Sequence, residues 1–442
     1  MRRRKWCRAG FRTIGGPGGN PFLRLWPVLR GRFFVLGPYP ELPVQDTVES
    51  GSLFFFAGTD DCKTAIWPDE AVECIRMAKF SRVRPEIAGL KPYTPGLSIE
   101  EIKDRYALTT VCKMASNENP LGTSPLVQEA LCRFAPYAFR YPRGGCPDLS
   151  AALAKVLGVP GECVVVGNGS DELIDLLIRT TLRPEKDNMV VFDPSFSIYR
   201  MQATLCGVEC RQVPLEQDLT FDFDRLLEQV DSRTGLVFVT NPDNPSGHAV
   251  PAAQLMELAR SLPQQCLLVV DEAYIEFAEN GISPLADWDA HGNIVLLRTF
   301  SKLYGLAGLR LGYGIMPDWL AEAVLRIKLP FSVNLLAEKA GVAALEDTAF
   351  YTRTREVVGE GRRILSAGLR ELGCEVSPSQ ANFLLFRPPM PAREVFERLL
   401  AKGIIIRPLT SYGLEDALRV SVGTAHENSR FLEAMQEIVH AR

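Results

Sequence analysis

The chain has 442 residues, 46% of them hydrophobic and 23% charged, with a formal net charge of −4, which is ordinary globular composition. No uncharged apolar run reaches about 18 residues, which argues against a transmembrane helix, and the acidic balance argues against a nucleic-acid or anionic-membrane partner. Eleven cysteines lie scattered without CxxC pairs and all four histidines follow residue 247, so neither a metal site nor a disulfide framework is expected, and reduced cytoplasmic thiols fit better.

Residues 1–40 hold nine Arg or Lys, no Asp or Glu, and seven Gly. Pro and Gly break every candidate helix there. Residues 1–76 therefore read as an atypical extension, disordered or not native, with Met77 as the expected start of translation. An Arg-rich, acid-free transit peptide is the competing reading. A secretory signal is weaker, because the apolar stretch Phe33-Phe34-Val35-Leu36 is too short.

After residue 77 the pattern becomes regular. Short apolar runs at Cys163–Val166, Met189–Phe192, Val208–Val213, Leu236–Val239, Leu267–Val270, Ile294–Leu297 and Leu311–Ile315 alternate with helical stretches. Near-continuous hydrophobicity predicts strands buried on both faces of a mostly parallel sheet. Helices are expected at Leu149–Leu157, stopped by Gly158, at Asp171–Thr181, opened by Ser170, and at Phe223–Val230. The fold class is therefore α/β, a seven-stranded, doubly wound domain with a smaller α+β domain. Four segments are expected: the extension 1–76, an N-terminal arm 77–120 packing on the small domain, a large domain 121–330, and 331–442. The last begins with a long interdomain helix over 332–372 and continues with strands Asn382–Phe386, Ile404–Ile406 and Leu418–Val422 and helices Arg393–Ala401 and Glu427–Val439.

The chemistry falls at strand ends. Gly167-Asn168-Gly169-Ser170-Asp171-Glu172 joins a strand to a helix, where glycines admit close approach and free N–H groups face an anion; alone it is equally a plain turn with a capping serine. Asn241-Pro242-Asp243-Asn244-Pro245-Ser246-Gly247 fixes the Asn244 amide, or is a bare turn. Asp271 ends a buried strand and points where such sheets bind ligands, or caps a helix. Arg298-Thr299-Phe300-Ser301-Lys302 through Arg310 sets one lysine among small and hydroxyl residues; by itself Lys302 reads equally as a solvated surface amine. Arg419 inside an apolar strand meets an anion or a structural salt bridge. Together the segments suit an aldehyde cofactor that acts as an electron sink. Lys302 can form the imine and Asp271 can keep a ring nitrogen protonated. Tyr274 and Asn244 can bond the ring oxygen, and Gly169, Ser170, Ser301 and Arg310 can cradle a phosphate. These are the parts of a pyridoxal 5′-phosphate site.

The ordered set resembles the fold-type I, class II pyridoxal-phosphate aminotransferases, and within them the histidinol-phosphate aminotransferases. The narrower likeness rests on Lys91-Pro92-Tyr93, Ser116-Asn117-Glu118-Asn119-Pro120-Leu121-Gly122, Tyr141-Pro142, Asp271-Glu272-Ala273-Tyr274-Ile275-Glu276-Phe277, Arg298 through Gly312, Ile405-Ile406-Arg407-Pro408 and Leu418-Arg419-Val420. It covers about residues 80–440. The resemblance implies that Lys302, Asp271 and Tyr274 are catalytic and that Phe196 stacks on the cofactor ring, where many relatives carry Tyr. It implies that Gly169, Ser170, Thr299, Ser301 and Arg310 hold the phosphate, and that Tyr141 reaches the phosphate of a neighbouring subunit in a homodimer. Tyr93, Asn117, Asn382, Arg407 and Arg419 would line the substrate pocket, with Arg419 on the α-carboxylate of glutamate. The implied reaction is the ping-pong exchange of L-histidinol phosphate and 2-oxoglutarate for imidazole-acetol phosphate and L-glutamate in histidine biosynthesis, in the cytoplasm. An aromatic amino-acid aminotransferase and a phosphoamino-acid decarboxylase on the same scaffold are the alternatives. One departure is Asp243, where Asn is common; it lies beside the Asn244 contact and little effect is expected.

Overall fold

The computed structural model describes residues 83–90 and 99–441, together with two short strands nearer the start of the chain. Residues Met1–Val83 and Arg84–Arg442 are separate units. In the first, β1 (Trp26–Val28) and β2 (Arg32–Phe34) pair antiparallel; the remainder of the extension lies outside the described residues.

The second unit carries two main sheets. A short strand, β3 (Cys112–Lys113), precedes the larger one. The larger sheet contains β4 (Val164–Gly167), β5 (Asn188–Asp193), β6 (Glu209–Pro214), β7 (Thr234–Thr240), β8 (Leu267–Asp271), β9 (Ile294–Thr299) and β10 (Gly312–Ile315). Their spatial order is β4-β10-β9-β8-β7-β5-β6. Strands β5 to β9 run parallel and β10 runs antiparallel to both its neighbours. Every expected strand is present. Successive residues of β8 enter different core clusters, Leu268 and Val270 in one and Leu267 and Val269 in the other, because side chains alternate across a strand and helices cover both faces. Each such buried side chain contributes roughly 1.5–3 kcal/mol, so the strand ends project from a rigid frame. Strand β6 departs from the expectation of two buried faces: Glu209, Gln212 and Pro214 are exposed. It is one of the two edge strands, with a neighbour on one side only; the other, β4, is buried throughout.

The helix Pro147–Leu157 stops at Gly158, which takes the left-handed conformation at φ 71°, a helix stop that glycine meets without a Cβ penalty. Two other helices start or stop differently from expectation. Gly169–Thr181 begins two residues earlier, with Asn168 in the cap position and Ser170 inside the first turn. Phe223–Leu227 is shorter, and Asp222 caps it. The expected single helix over 332–372 is two, Leu335–Glu346 and Thr348–Glu371. They break at Asp347, whose carboxylate accepts from the Phe350 N–H and from the Ser124 hydroxyl. A side chain that caps a new helix start competes with continuation of the old one.

The smaller sheet uses β11 (Glu375–Val376), β12 (Phe383–Arg387), β14 (Arg407–Pro408) and β15 (Leu418–Ser421), while β13 (Ile404–Ile405) pairs in parallel with β3. The order is β11-β12-β15-β14, antiparallel throughout. The segment after β3 reaches β15 as well, where the Ser421 N–H donates to Met114 O at 2.8 Å. Helix Thr348–Glu371 covers this sheet, and helix Ala425–His440, opened by a reciprocal cap between Thr424 and Glu427, packs on that helix and meets the sheet through Phe431 against Phe386.

Candidate active site

Three strand ends of the larger sheet meet at one place. Asp271 closes β8 and is 2% exposed. Its carboxylate accepts from the Tyr199 hydroxyl at 2.7 Å and from the Ala273 N–H at 3.2 Å. Register sets Thr240 of β7 directly beside it, and the Thr240 and Tyr199 hydroxyls lie 2.9 Å apart. Burial raises the Asp271 carboxyl to about 6, although the Tyr199 bond pulls the other way. Behind it, Arg298 of β9 bonds the fully buried Glu272 at 2.7 Å and Ser283 at 3.1 Å. Nearby Glu276 is pushed up to about 7 by burial, with the Arg298 charge opposing.

Lys302 lies in the turn after β9. Its amine donates to Ser116 O at 3.2 Å and sits 5.7 Å from the Tyr274 ring centroid. Burial, then the positive charge of Arg419, lowers this amine to about 8. The lowering moves the amine toward the deprotonated form that a nucleophilic, proton-moving lysine needs.

Gly169 and Gly312 shape an anion cradle. Gly312 sits in register between Thr299 and Gly167. A Cβ there would lie 2.4 Å from the Ser170 nitrogen, and one on Gly169, at φ 76°, would lie 2.7 Å from Arg310 Nη2. Only glycine lets these backbones and the guanidinium come this close. Around them stand the Thr299 and Ser301 hydroxyls, 3.0 Å apart, and Arg310, which bonds Asp171 at 2.9 Å. Hydroxyls, a guanidinium and the N-terminus of helix Gly169–Thr181 form a donor set matched to phosphate. The residues present fit pyridoxal phosphate at both its phosphate and its ring.

The small sheet supplies two arginines. Arg419 of β15 is 6% exposed. It donates to Asn244 Oδ1 and to Ala115 O at 3.0 Å, lies 5.0 Å from the Phe383 ring centroid, and leaves its Nε without a partner. Among the described residues no carboxylate pairs with it, so a structural salt bridge does not account for its burial. Arg407 of β14 stands directly opposite it across the ladder. Two like charges so placed are unfavourable unless an anion meets them.

The expected residues divide into groups. Lys302, Asp271, Tyr274, Asn244 and Arg419 form a connected cluster. Tyr274 is buried, edge-on to Phe383, and accepts from Asn117 Nδ2 at 3.1 Å; burial raises its phenol to about 12. Phe196 is half-buried and stands edge-on to Tyr199 at 5.7 Å. Asn382 is fully buried, donates to Asn117 O at 3.0 Å, and has an unpartnered Oδ1. Asn117 spends its polar groups on other protein groups. Tyr141 lies elsewhere on the surface, 82% exposed and against Phe331 at 4.9 Å. Tyr93 lies outside the described residues. Sequence reading missed Tyr199, Thr240 and Ser421. A signal existed for Tyr199: it shares the buried stripe of helix Ile198–Cys206 with Ala203, and a hydroxyl on such a stripe needs a partner.

Residues 109–435 match the model of the family "Aminotransferase class I and II". The chain belongs to that family. Among the similar curated proteins, a histidinol-phosphate aminotransferase of Nitratidesulfovibrio vulgaris is 57% identical over 365 residues, 82% of this chain and 98% of that one. One from Oleidesulfovibrio alaskensis is 54% identical over 363 residues, covering 81% and 95%. Among solved structures, a histidinol-phosphate aminotransferase from Sinorhizobium meliloti in complex with pyridoxal 5′-phosphate aligns with a TM-score of 0.75 at 28% identity, over 83% of this chain and 99% of that one. The aminotransferase fold thus spans the second unit, with the family match running from β3 to the last helix. Among the described residues, no helix is long and apolar enough to cross a membrane.

Proposed function

We propose that the chain is a pyridoxal-phosphate-dependent transaminase that interconverts L-histidinol phosphate and 2-oxoglutarate with imidazole-acetol phosphate and L-glutamate, acting in histidine biosynthesis as a cytoplasmic homodimer. The observation that carries the reading is Arg419, buried beside Lys302 and opposed across the ladder by Arg407. When bound, the cofactor supplies an aldehyde for the amino group and a ring that takes up the electrons of the cleaved C–H bond.

The protein's part follows from its own groups. Gly169, Ser170, Thr299, Ser301 and Arg310 would bind the phosphate, Phe196 would stack on the ring, and Asn244 and Tyr274 would face its oxygen. The Asp271 carboxylate would keep the ring nitrogen protonated, and Tyr199 fixes the direction of that carboxylate. Lys302 Nζ takes the proton from the amine-bearing carbon of the donor. Histidinol phosphate carries a phosphomonoester and no carboxylate, whereas glutamate carries two carboxylates. Arg407 and Arg419 accept both, since a guanidinium fork matches either anion.

The homodimer is supported by the surface around Tyr141. Tyr137, Phe139, Tyr141 and Phe331 are all exposed there, an apolar patch of the kind partners cover. Mixing Lys302→Ala with Tyr141→Phe subunits tests it: a shared site restores one intact site per heterodimer, whereas a Tyr141 serving its own subunit restores none.

The activity is tested with purified full-length protein, 2-oxoglutarate and one donor at a time: histidinol phosphate, phenylalanine, tyrosine or phosphothreonine. The reading expects kcat/KM for histidinol phosphate to exceed that for the aromatic donors by about tenfold or more, the worth of one charge-assisted contact, with no CO₂ released. Faster turnover of phenylalanine, or CO₂ from phosphothreonine, contradicts it.

A further inference from the structure

The loop that follows β3 carries Asn117 into the middle of the site. This residue is 1% exposed and adopts φ 55°, a left-handed conformation that Asn tolerates better than most side chains. Each of its polar groups is engaged. Its N–H donates to Ser421 Oγ at 2.9 Å, and the Ser421 hydroxyl donates back to Asn117 Oδ1 at 2.8 Å. Its carbonyl accepts from Asn382 Nδ2 at 3.0 Å, and its own Nδ2 donates to the Tyr274 hydroxyl at 3.1 Å. Ser421 and Asn382 belong together, because Ser421 of β15 is in register with Phe383 of β12 and the Val422 N–H donates to Asn382 O at 2.8 Å.

The chemistry of the last bond sets its consequence. An amide nitrogen can only donate, so the Tyr274 oxygen accepts on that side. The phenol has one proton, and the bond from Asn117 turns it away from Asn117. We propose that Asn117 is a positioning residue that acts through Tyr274, aiming the phenol proton at the cofactor oxygen, and that it does not touch the substrate. This rests on the cofactor reading above and goes beyond it. The small sheet, through Ser421 and Asn382, thereby fixes the orientation of a group on the large-sheet side. The charged or titratable groups around the phenol are Arg419, Tyr412, Asp271 and Lys302.

The test is a double-mutant cycle on the full chain. Asn117→Gly keeps the left-handed backbone and the backbone bonds to Ser421 and Asn382, and deletes the side-chain amide with its bonds to Tyr274 and from the Ser421 hydroxyl. Tyr274→Phe deletes the phenol oxygen. The dissociation constant of pyridoxal 5′-phosphate is measured by fluorescence titration of the apoprotein, and the pH midpoint of the bound cofactor's absorbance change by spectrophotometry. Asn117→Gly should weaken binding about 5- to 10-fold, the worth of one hydrogen bond, and raise the pH midpoint. In the Tyr274→Phe background it should change neither by more than about twofold, since a residue acting through Tyr274 has nothing left to act on. Asn117→Ala, which also deletes the donor but introduces no charge, should show the same pattern and serves if the glycine variant folds poorly. Equal losses in both backgrounds overturn the proposal. So does unchanged cofactor affinity and absorbance with a raised KM for the amino donor, which would place Asn117 on the substrate. A silent Tyr274→Phe removes the cofactor role of Tyr274 and this proposal with it, whereas a defective Tyr274→Phe with a silent Asn117→Gly removes this proposal alone.

Discussion

Asp271 and Arg419 both sit on buried strands, and their surroundings are built in opposite ways. Asp271 is held within its own sheet, by Tyr199 on a covering helix and by the N–H of its own turn. The neighbouring groups each follow a strand directly: Ser170 after β4, Asn244 after β7 and Lys302 after β9. Arg419 depends instead on distant chain. Asn244 and Ala115 bond it, and its opposition to Arg407 exists only through the register of two short strands. Its Nε remains unpartnered. The strand-end side is fixed by hydrogen bonds within one sheet and its covering helix, as a resident cofactor needs. On the small-sheet side Arg419 Nε is left for an anion, which the proposed reading takes to be one that arrives and leaves in each half-reaction.

The largest way to break the strand-end side is Lys302→Ala. It removes the one amine of the cluster that can bond the aldehyde and move the proton, and should lower transamination by about 10⁴-fold or more. The check is glutamate formation from histidinol phosphate, together with loss of the bound cofactor's long-wavelength absorbance. Turnover near the wild-type rate would sink the assignment of this residue. Arg298→Met comes next, attacking the same side through its support. It leaves Glu272 and Glu276 buried with no guanidinium between them, and should cost about 3–5 kcal/mol in urea denaturation. An unchanged midpoint would mean the pair is dispensable for the frame.

These two positions also show what was legible beforehand. Lys302, Asp271 and Arg298 lie in continuous motifs next to apolar runs, so hydrophobic periodicity located the strands and the strand ends located the chemistry. Six strands of the larger sheet were readable for the same reason, each an apolar run; β6, with Glu209, Gln212 and Pro214 exposed, is the less apolar exception. The small-sheet side was harder to read. Strands of two residues, such as β11 and β14, leave no period. The direct opposition of Arg407 and Arg419 is a fact of register, which a single sequence does not carry. The loop motif alone points Asn117 toward the substrate, while its contacts to Ser421 and Tyr274, 304 and 157 residues away, leave no trace in the sequence. The interruption at Asp347 hid for another reason: a capping Asp has no signature when apolar residues continue on both sides.

A smaller effect sharpens the contrast from the side of pH. Asp243, next to Asn244, is 1% exposed, and burial raises its carboxyl to about 6 even though the Ser246 hydroxyl and N–H bond it. A carboxyl raised in the folded state contributes stability that is complete below its unfolded value of 3.8 and is lost as pH rises through about 6. Asn keeps acceptor bonds to Ser246 and does not ionise. Asp243→Asn should therefore remove part of the loss of apoprotein stability across this interval, by on the order of 1–3 kcal/mol. Denaturant titrations on either side of it, at pH values near the unfolded and the folded pKa, provide the check. Parallel slopes in both proteins would show that Asp243 is not the group responsible.

The division of labour itself is tested most directly with Arg407→Ala, by measuring cofactor affinity and single-turnover half-reactions on one preparation. The account predicts cofactor binding within about twofold of wild type, because no cofactor contact is assigned to this arginine. It predicts a loss of about 10- to 150-fold with histidinol phosphate, the worth of one charge-assisted contact to a phosphomonoester. Phenylalanine, with no phosphate to lose, should fall much less, and glutamate should lie between. Equal losses for all three donors, or a cofactor that dissociates, would show that Arg407 supports the frame and that the small sheet does not read the anion.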